Sequence, residues 1–452
     1  MDLNRYNKIF FIGIGGIGMS ALARYFKSYG KDVSGYDKTP TALTNELMRE
    51  GIPVFFEDRQ ELYPADADLV VYTPAIPAGH IGLQFYRNNG YEVRKRSEIL
   101  GAISANYYTI AVAGSHGKTT VSSMIAHILQ HSGFGCTAFL GGIALNYNSN
   151  FILGQNDVAV MEADEFDRSF HRLAPDMAVI TAVDTDHLDI YGTKEKIDEA
   201  FAEFAARISA DGLLVIKTNQ SIRHALPDIK KVFYALHDNT ADVYCAGYRI
   251  QKGSYHFRVS YFGEVTDGWQ LYTGGFHNVE NALAAISIAR ALGITVENIR
   301  EALATFKGIR RRFEKVYEDE RITYIDDYAH HPEEIRVLIE SVRELYPGRR
   351  IMAVFQPHLF TRTRDLAVSF ASELSKADEV VLLDIYPARE EPIPGVTSQI
   401  IARHIRNIPC TLIHKEQLPK YILSHRPDIL LTIGAGDIDT YTPVLAKILA
   451  AR

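Results

Sequence analysis

Gly114-Ser115-His116-Gly117-Lys118-Thr119-Thr120 stands between the apolar run 107–113 and the helix-like stretch 121–132. A strand, a glycine loop and a helix in that order aim backbone N–H groups and a helix N-terminus at phosphate oxygens. Glycines 114 and 117 let the backbone approach closely. Lys118 supplies a cation for the β- and γ-phosphates, and the Thr119 hydroxyl is a ligand for Mg²⁺. All seven residues, Gly114, Ser115, His116, Gly117, Lys118, Thr119 and Thr120, are therefore expected to bind ATP. The usual G-x-x-x-x-G-K-[ST] loop has a glycine where this chain has Val112. The competing reading is a glycine-rich turn with an incidental lysine. The strand before the loop and the helix after it favour ATP.

Outward from the loop, strands alternate with helices, which predicts an α/β chain of parallel sheets covered by helices. At roughly 150 residues per domain, 452 residues suggest about three domains. The first block has strands at 8–14, 31–36, 69–72 and 92–94 and a helix at 19–29. The second has strands at 107–113, 158–162, 177–182 and 212–217, alternating β structure over 243–265 with turns at Lys252-Gly253 and Gly263-Glu264, and helices at 278–292 and 296–305. The third follows Arg310-Arg311-Arg312-Phe313, with strands at 323–325, 350–355, 379–383 and 429–433 and helices at 332–345 and 366–376. The expected domains are 1–105, 106–313 and 314–452: Rossmann-like, central P-loop ATPase-like and again Rossmann-like.

Composition excludes several classes. Hydrophobic residues make up 47% and charged residues 23% of the chain, and the net charge is -7, so nothing marks a nucleic-acid binder. Cys136, Cys245 and Cys410 form no CxxC pair, which speaks against a disulfide framework or a structural zinc site. The N-terminus lacks the pattern of a signal peptide, and no apolar run approaches the ~18 residues of a membrane span. The expectation is a cytoplasmic protein.

Other residues attach to the loop. Glu162 ends a buried strand, where ligands of parallel sheets bind, and a carboxylate there can hold Mg²⁺. His187, in Thr185-Asp186-His187-Leu188-Asp189, reads either as a second metal ligand or as part of a capped turn. Asn278 and Asn281 lie i, i+3 on one helix, facing one ligand or serving as a cap with a neighbour. Gly13, Gly15 and Gly18 form G-x-G-x-x-G after a strand, with Asp37 ending the next strand. That is the dinucleotide fingerprint. Its physics asks only for a pyrophosphate at a helix N-terminus and a ribose near an acid. A UDP-sugar meets both, and no downstream hydride site supports a nicotinamide oxidoreductase.

Together these motifs resemble the Mur ligases, which build the peptide stem of bacterial peptidoglycan. The shared elements are the loop, Glu162-Ala163-Asp164-Glu165, Asp186-His187-Leu188-Asp189, His277-Asn278-Val279-Glu280-Asn281 and Arg311-Arg312-Phe313. Gly13-Ile14-Gly15-Gly16-Ile17-Gly18-Met19-Ser20, Asp326-Asp327-Tyr328-Ala329-His330-His331-Pro332, Phe355-Gln356-Pro357-His358, Thr361-Arg362-Thr363-Arg364-Asp365 and the run 386–395 resemble the family's alanine-adding branch. The resemblance covers essentially the whole chain. It implies three domains and a ligation in which ATP phosphorylates the carboxylate of UDP-N-acetylmuramate and the amine of L-alanine attacks the acyl phosphate.

The resemblance also implies roles. Lys118, Glu162, His187 and Arg312 would be catalytic, with Thr119, Glu162 and His187 as Mg²⁺ ligands. Asn278, Asn281, Arg312 and Asp327 would join the loop around ATP, Asp327 at the ribose. Gly13, Gly15, Gly16, Ile17, Gly18, Met19, Ser20, Asp37, Thr73 and Ala75 would bind the UDP-sugar. Tyr328, His330 and Arg362 would meet the amino acid, with Arg362 as a fork for its carboxylate. The working unit would be a monomer or a dimer. Three departures stand out. The family's commoner pattern has arginine after Gln-Pro-His where this chain has Leu359. Arg364 is either a substitute for it or a solvated charge at a helix start. The lysine that several Mur ligases carbamylate is absent from 199–204, as it is in the alanine-adding branch. Aromatic Phe166 follows the pattern of the recycling ligase, which attaches a tripeptide to the same sugar nucleotide. A non-catalytic nucleotide sensor on the same scaffold is disfavoured by Lys118, Glu162 and His187.

Overall fold

A computed structural model describes residues 1–184, 188–388 and 390–451. Its strands make three sheets. The first contains β1 (Lys8–Ile12), β2 (Asp32–Tyr36), β3 (Val54–Phe55), β4 (Leu69–Tyr72) and β5 (Val93–Lys95), in the order β3-β2-β1-β4-β5. All its pairings are parallel. β1 and β4 are neighbours although two α-helices and two strands separate them in sequence, so strand order reverses between them. Ligands of open α/β sheets bind at the strand C-termini beside such a reversal. Phe10, Phe11, Ile12, Leu69, Val70 and Val71 are buried, as strands covered on both faces require.

The second sheet has ten strands: β6 (Tyr108–Ala113), β7 (Thr137–Ala144), β8 (Ser149–Ile152), β9 (Val158–Glu162), β10 (Met177–Ile180), β11 (Leu213–Lys217), β12 (Lys230–Ala235), β13 (Val243–Gln251), β14 (Ser254–Tyr261) and β15 (Glu264–Leu271). β6 lies between β9 and β10, both parallel to it. β6 leads into the phosphate loop and β9 ends at Glu162, so the sheet delivers both to one edge. The third sheet contains β16 (Glu314–Glu318), β17 (Thr323–Asp327), β18 (Ile351–Phe355), β19 (Glu379–Leu382), β20 (Cys410–Leu412) and β21 (Ile429–Ile433), in the order β16-β17-β21-β18-β19-β20. β16 is antiparallel to β17, and the others pair in parallel.

The chain divides into two compact units. One comprises Met1–Tyr248, Phe257–Gln270 and Val279–Phe306, and the other Arg249–His256, Leu271–Asn278 and Lys307–Arg452. Within the first unit, the helix Ile17–Ser28 packs on β7 and β8. Arg24 is 7% exposed there; it pairs with Glu50 at 2.7 Å and donates to Asn150 of β8.

The structure adds to the expected elements. β7 and β8 did not read as strands, because Gly141-Gly142 interrupts β7 and glycine weakens strand patterns. The β region after residue 243 extends to Leu271, and its second turn is Phe262-Gly263, with φ of 49° and 84°, rather than Gly263-Glu264. Positive φ at both central residues is what tight hairpin turns require. The helix Phe360–Leu374 begins earlier than the expected 366, because its first turns are polar and carry no apolar period.

Candidate active site

In the first unit, β1 runs into the first glycine loop. The amides of Gly13 and Ile14 both donate to the carbonyl of Tyr36, at 2.7 and 3.0 Å. Gly15 donates its amide to Asp37 Oδ2 at 2.7 Å. Asp37, expected at a ribose, thus holds the loop itself. Gly16 is the N-cap of the helix Ile17–Ser28, which leaves that helix's first N–H groups for an anion. Thr73 follows β4 and sits beside the loop: a side chain at Gly13 would meet its Cγ2 at 3.1 Å. Gly16, Ile17, Gly18, Met19, Thr73 and Ala75 line a cleft of about 310 Å³, together with Arg96, Gly141, Glu162 and Asp164. Ser20 does not face this cleft. It is fully buried, donating to the Ile17 carbonyl at 2.9 Å and accepting from Asn150 at 2.9 Å.

The phosphate loop is built as the sequence implies, with the helix Lys118–His131 starting directly after it. Gly117 has φ of 82°, and a Cβ there would come 2.7 Å from Asn281 Oδ1. The left-handed φ favours glycine, and a side chain there would also push against the Asn281 amide. The strand end at Thr181 ties the loop down, its hydroxyl donating to the carbonyls of Ala113, at 3.2 Å, and His116. Ser115 Oγ accepts the amide of Asp184 at 2.9 Å, so this hydroxyl fixes the loop. His116 is exposed, with Nε2 4.0 Å from Asp184. Gly114 and Thr120 complete the loop around Lys118.

Lys118 Nζ donates to the Gly114 carbonyl at 2.7 Å and lies 2.9 and 2.8 Å from the two oxygens of Glu165. Glu162 meets Thr119: burial pushes its carboxyl above the ordinary range, while a hydrogen bond from Thr119 and the charge of Lys118 oppose that. Glu162 Oε2 also accepts the amide of Gly141 at 3.1 Å. Any Cβ at Gly141 would come within 2.2 Å of that oxygen, so the glycine makes room for the carboxylate. Among the described residues, no three His, Cys, Asp or Glu side chains gather at one point. A divalent ion here would take Thr119 and Glu162, with phosphate and water filling its shell, as suits Mg²⁺. The donors present, a hydroxyl and a carboxylate, fit such an ion. His187, with Thr185 and Asp186, lies outside the described residues, as does Arg389.

Asn281 is 8% exposed and packs on Gly117, as expected of a group beside the loop. Between the two asparagines in sequence, Glu280 pairs with Lys217 of β11 at 2.8 Å, which orients this face of the helix.

In the second unit, Asn278 donates to the Gly274 carbonyl at 2.6 Å. Arg312 lies over the ring of Tyr328, 5.7 Å from its centroid, beside Arg311 at 5.1 Å. Desolvation, then Arg312, lowers the His277 imidazole to about 4. Asp327 spends both oxygens on backbone: Oδ2 accepts from Phe313 at 2.6 Å and Oδ1 from Ala329 at 2.8 Å. It therefore shapes the Arg312-Phe313 turn. His330 stands edge-on to Tyr328 at 5.2 Å and holds the Tyr328 carbonyl at 3.0 Å. Burial lowers its pKa, with Arg362 and Arg312 adding to that. Arg362 Nη1 is buried without a hydrogen-bond partner, which is how a waiting carboxylate clamp looks. Arg364 is 53% exposed and pairs with its neighbour Asp365 at 2.7 Å, which makes it a solvated charge. Leu359, where an arginine was expected, has φ of 71°, a rare conformation for a bulky residue.

Sequence reasoning missed Arg96 and Glu165 as members of the site. Arg96 donates to Asp164 at 3.2 Å, and its guanidinium lies 2.6 Å from where a Cβ on Gly18 would be. One signal for it was a cation directly after a strand of the first sheet. For Glu165 it was the fourth position of Glu-Ala-Asp-Glu.

Family models match three stretches: the Mur ligase family catalytic domain over residues 8–108, the Mur ligase middle domain over 112–289 and the Mur ligase glutamate ligase domain over 311–436. The UDP-N-acetylmuramate–L-alanine ligase of Porphyromonas gingivalis is 49% identical over 440 residues, 96% of each chain. That of Flavobacterium johnsoniae is 48% identical over 99% of each chain. The crystal structure of the UDP-N-acetylmuramate–alanine ligase of Thermotoga maritima superposes with a TM-score of 0.86 at 30% identity, covering 98% of this chain and 99% of that one. A murein peptide ligase from Psychrobacter arcticus shares the fold at a TM-score of 0.68 and 23% identity, with 98% of each chain covered. With family models covering most of the chain and L-alanine ligases 48–49% identical over nearly all of it, the chain belongs to the Mur ligase family and is an ATP-dependent ligase of that family.

Proposed function

We propose that this ligase joins L-alanine to the carboxylate of UDP-N-acetylmuramate through an acyl phosphate, in the synthesis of peptidoglycan precursors. The observation that carries the reading is the shared cleft: its lining runs from the helix start at Gly16–Met19 to Glu162. A sugar nucleotide with its diphosphate on that helix start would point its carboxylate at the metal-binding acid. The chain's full-length likeness to L-alanine ligases supports the choice of amine.

The proposed division assigns the UDP-sugar to 1–105, ATP to 106–313 and the amino acid to 314–452. The loop amides and Lys118 hold and neutralise the phosphates, since phosphoryl transfer needs mostly positioning and charge. Thr119 and Glu162, with His187 on the family's pattern, would hold Mg²⁺, whose charge would offset the repulsion between the two anions. Arg312 offers a further cation to ATP. Arg362 clamps the alanine carboxylate, and the lowered pKa of His330 keeps a neutral imidazole beside it. Among the described residues no helix is long and apolar enough to cross a membrane. We place the enzyme in the cytoplasm, as a monomer or a dimer.

The test is phosphate release with ATP, Mg²⁺ and UDP-N-acetylmuramate across L-alanine, L-serine, glycine and the L-alanyl-γ-D-glutamyl-diaminopimelate tripeptide. L-alanine is expected to give the highest kcat/KM. Turnover with the tripeptide but not with L-alanine would instead make this the recycling ligase, the reading that Phe166 favours.

A further inference from the structure

We infer that Glu165 is a positioning residue that occupies Lys118 in place of phosphate and must yield to ATP before the loop can bind it. The inference rests on the ATP role of the loop. The Lys118 side chain is 15% exposed and that of Glu165 4%. Both carboxylate oxygens stand within 2.9 Å of Nζ, and the Gly114 carbonyl takes a further N–H. An ammonium has three N–H donors. These acceptors neutralise its charge and occupy its donors. A γ-phosphate seeking the same ammonium meets a carboxylate already there.

The backbone of Glu165 is anchored: its main-chain carbonyl accepts the Tyr191 hydroxyl at 2.6 Å and the Arg168 amide at 3.0 Å. Arg168 carries φ of 52°, and its guanidinium lies 5.5 Å from the centre of the Tyr191 ring. This short segment, Phe166–Arg172, is a 3₁₀ turn, the kind of element that rearranges without breaking a helix. Next along the chain, Asp164 pairs in the same way with Arg96, the cation beside Gly18. Two consecutive acids thus hold Lys118 of one loop and Arg96, the cation beside the other. When phosphate takes Lys118, Glu165 turns away and its segment shifts. Binding energy from the phosphates is thereby used to displace the group that neutralises Lys118.

Glu165→Gln tests this in the full-length enzyme, with ATP and AMP binding measured by titration calorimetry and thermal unfolding of the nucleotide-free protein measured alongside. Removing the charge should lower Tm without nucleotide, yet tighten ATP by about fivefold or more, the usual lower range of a coupling between two states. AMP lacks the β- and γ-phosphates and should bind both proteins equally. A merely structural glutamate would lower Tm and weaken or leave unchanged both nucleotides, and that result overturns the inference. If the unaltered enzyme binds no ATP, the ligase reading fails instead. If it binds ATP and Glu165→Gln binds it no more tightly, only the role of Glu165 falls.

Discussion

Asp327 accepts the amide of Phe313 on one carboxylate oxygen, at 2.6 Å, and that of Ala329 on the other, at 2.8 Å. The acid at the end of β17 thus fixes the turn that presents Arg312. Asp327→Ala leaves two part-buried amides unpaired, at about 1–3 kcal/mol each. It should lower Tm and raise KM for ATP, whereas Asp327→Asn, which keeps one acceptor, should fall between. An unchanged Tm in Asp327→Ala would separate this residue from the turn.

Asp326, next in the chain, predicts a pH dependence. It is 1% exposed, and burial raises its carboxyl from 3.8 to about 7 although Arg311, 3.4 Å away, pulls the other way. Between those two values the unfolded chain has lost this proton and the folded chain retains it. The unfolded state then binds fewer protons, so stability from this group is full below the lower value and falls as pH rises through the window. The slope is at most about 1.4 kcal/mol per pH unit. Calorimetric unfolding of the enzyme and of Asp326→Asn should show the unaltered protein losing ground to the variant across that window. A constant difference between the two would contradict the assignment.

Lys118→Ala should reduce phosphate release by about a thousandfold or more, comparable to removing a main transition-state donor. Binding of UDP-N-acetylmuramate, read by thermal shift, should survive, because the glycine loop that follows β1 is untouched. Near-normal turnover would refute the phosphate-loop assignment.

Arg362→Lys should raise KM for L-alanine far more than KM for ATP, because an ammonium cannot reproduce the two-point fork of a guanidinium. Steady-state kinetics with each substrate varied in turn provide the check. Equal effects on both substrates would move Arg362 out of the amino-acid site.

Gly117→Ala forces a left-handed backbone on alanine, costing about 1–2 kcal/mol, and drives a methyl toward Asn281. Both Tm and ATP affinity should fall. Adding Asn281→Ala should relieve the steric part and leave the backbone part. Should the single variant bind ATP normally, the close packing of loop and helix has no bearing on nucleotide binding.

What could be read in advance was set by local chemistry. A glycine loop between an apolar strand and a helix announces itself because few other sequences place such residues together. Glu162 was legible because it terminates a buried strand. Arg96 and Glu165 were not, since their meaning lies in partners 68 and 47 positions away, and no local pattern encodes that distance. Asn278 and Asn281 looked like one pair facing one ligand. In the fold one holds the Gly274 carbonyl and the other packs on Gly117, because a side chain's partner depends on what the neighbouring chain presents. Asp37 and Asp327 stand where a ribose acid is expected, yet their oxygens are occupied by backbone amides, a use that leaves no trace in residue type. β7 escaped notice because its paired glycines, which include the one that admits Glu162, look like a break in a strand.

The contact between Arg24 and Asn150 reaches beyond the site. Arg24 belongs to the helix that follows β1, while Tyr25 beside it meets Phe139 at 5.4 Å and Phe151 at 6.2 Å. A polypeptide ended at Ala105 would expose that guanidinium and those rings to water, and one begun at Asn106 would expose their partners. The first two sheets are therefore poor candidates for separate expression. Residues 24, 25, 139, 150 and 151 should also drift together among relatives rather than one at a time.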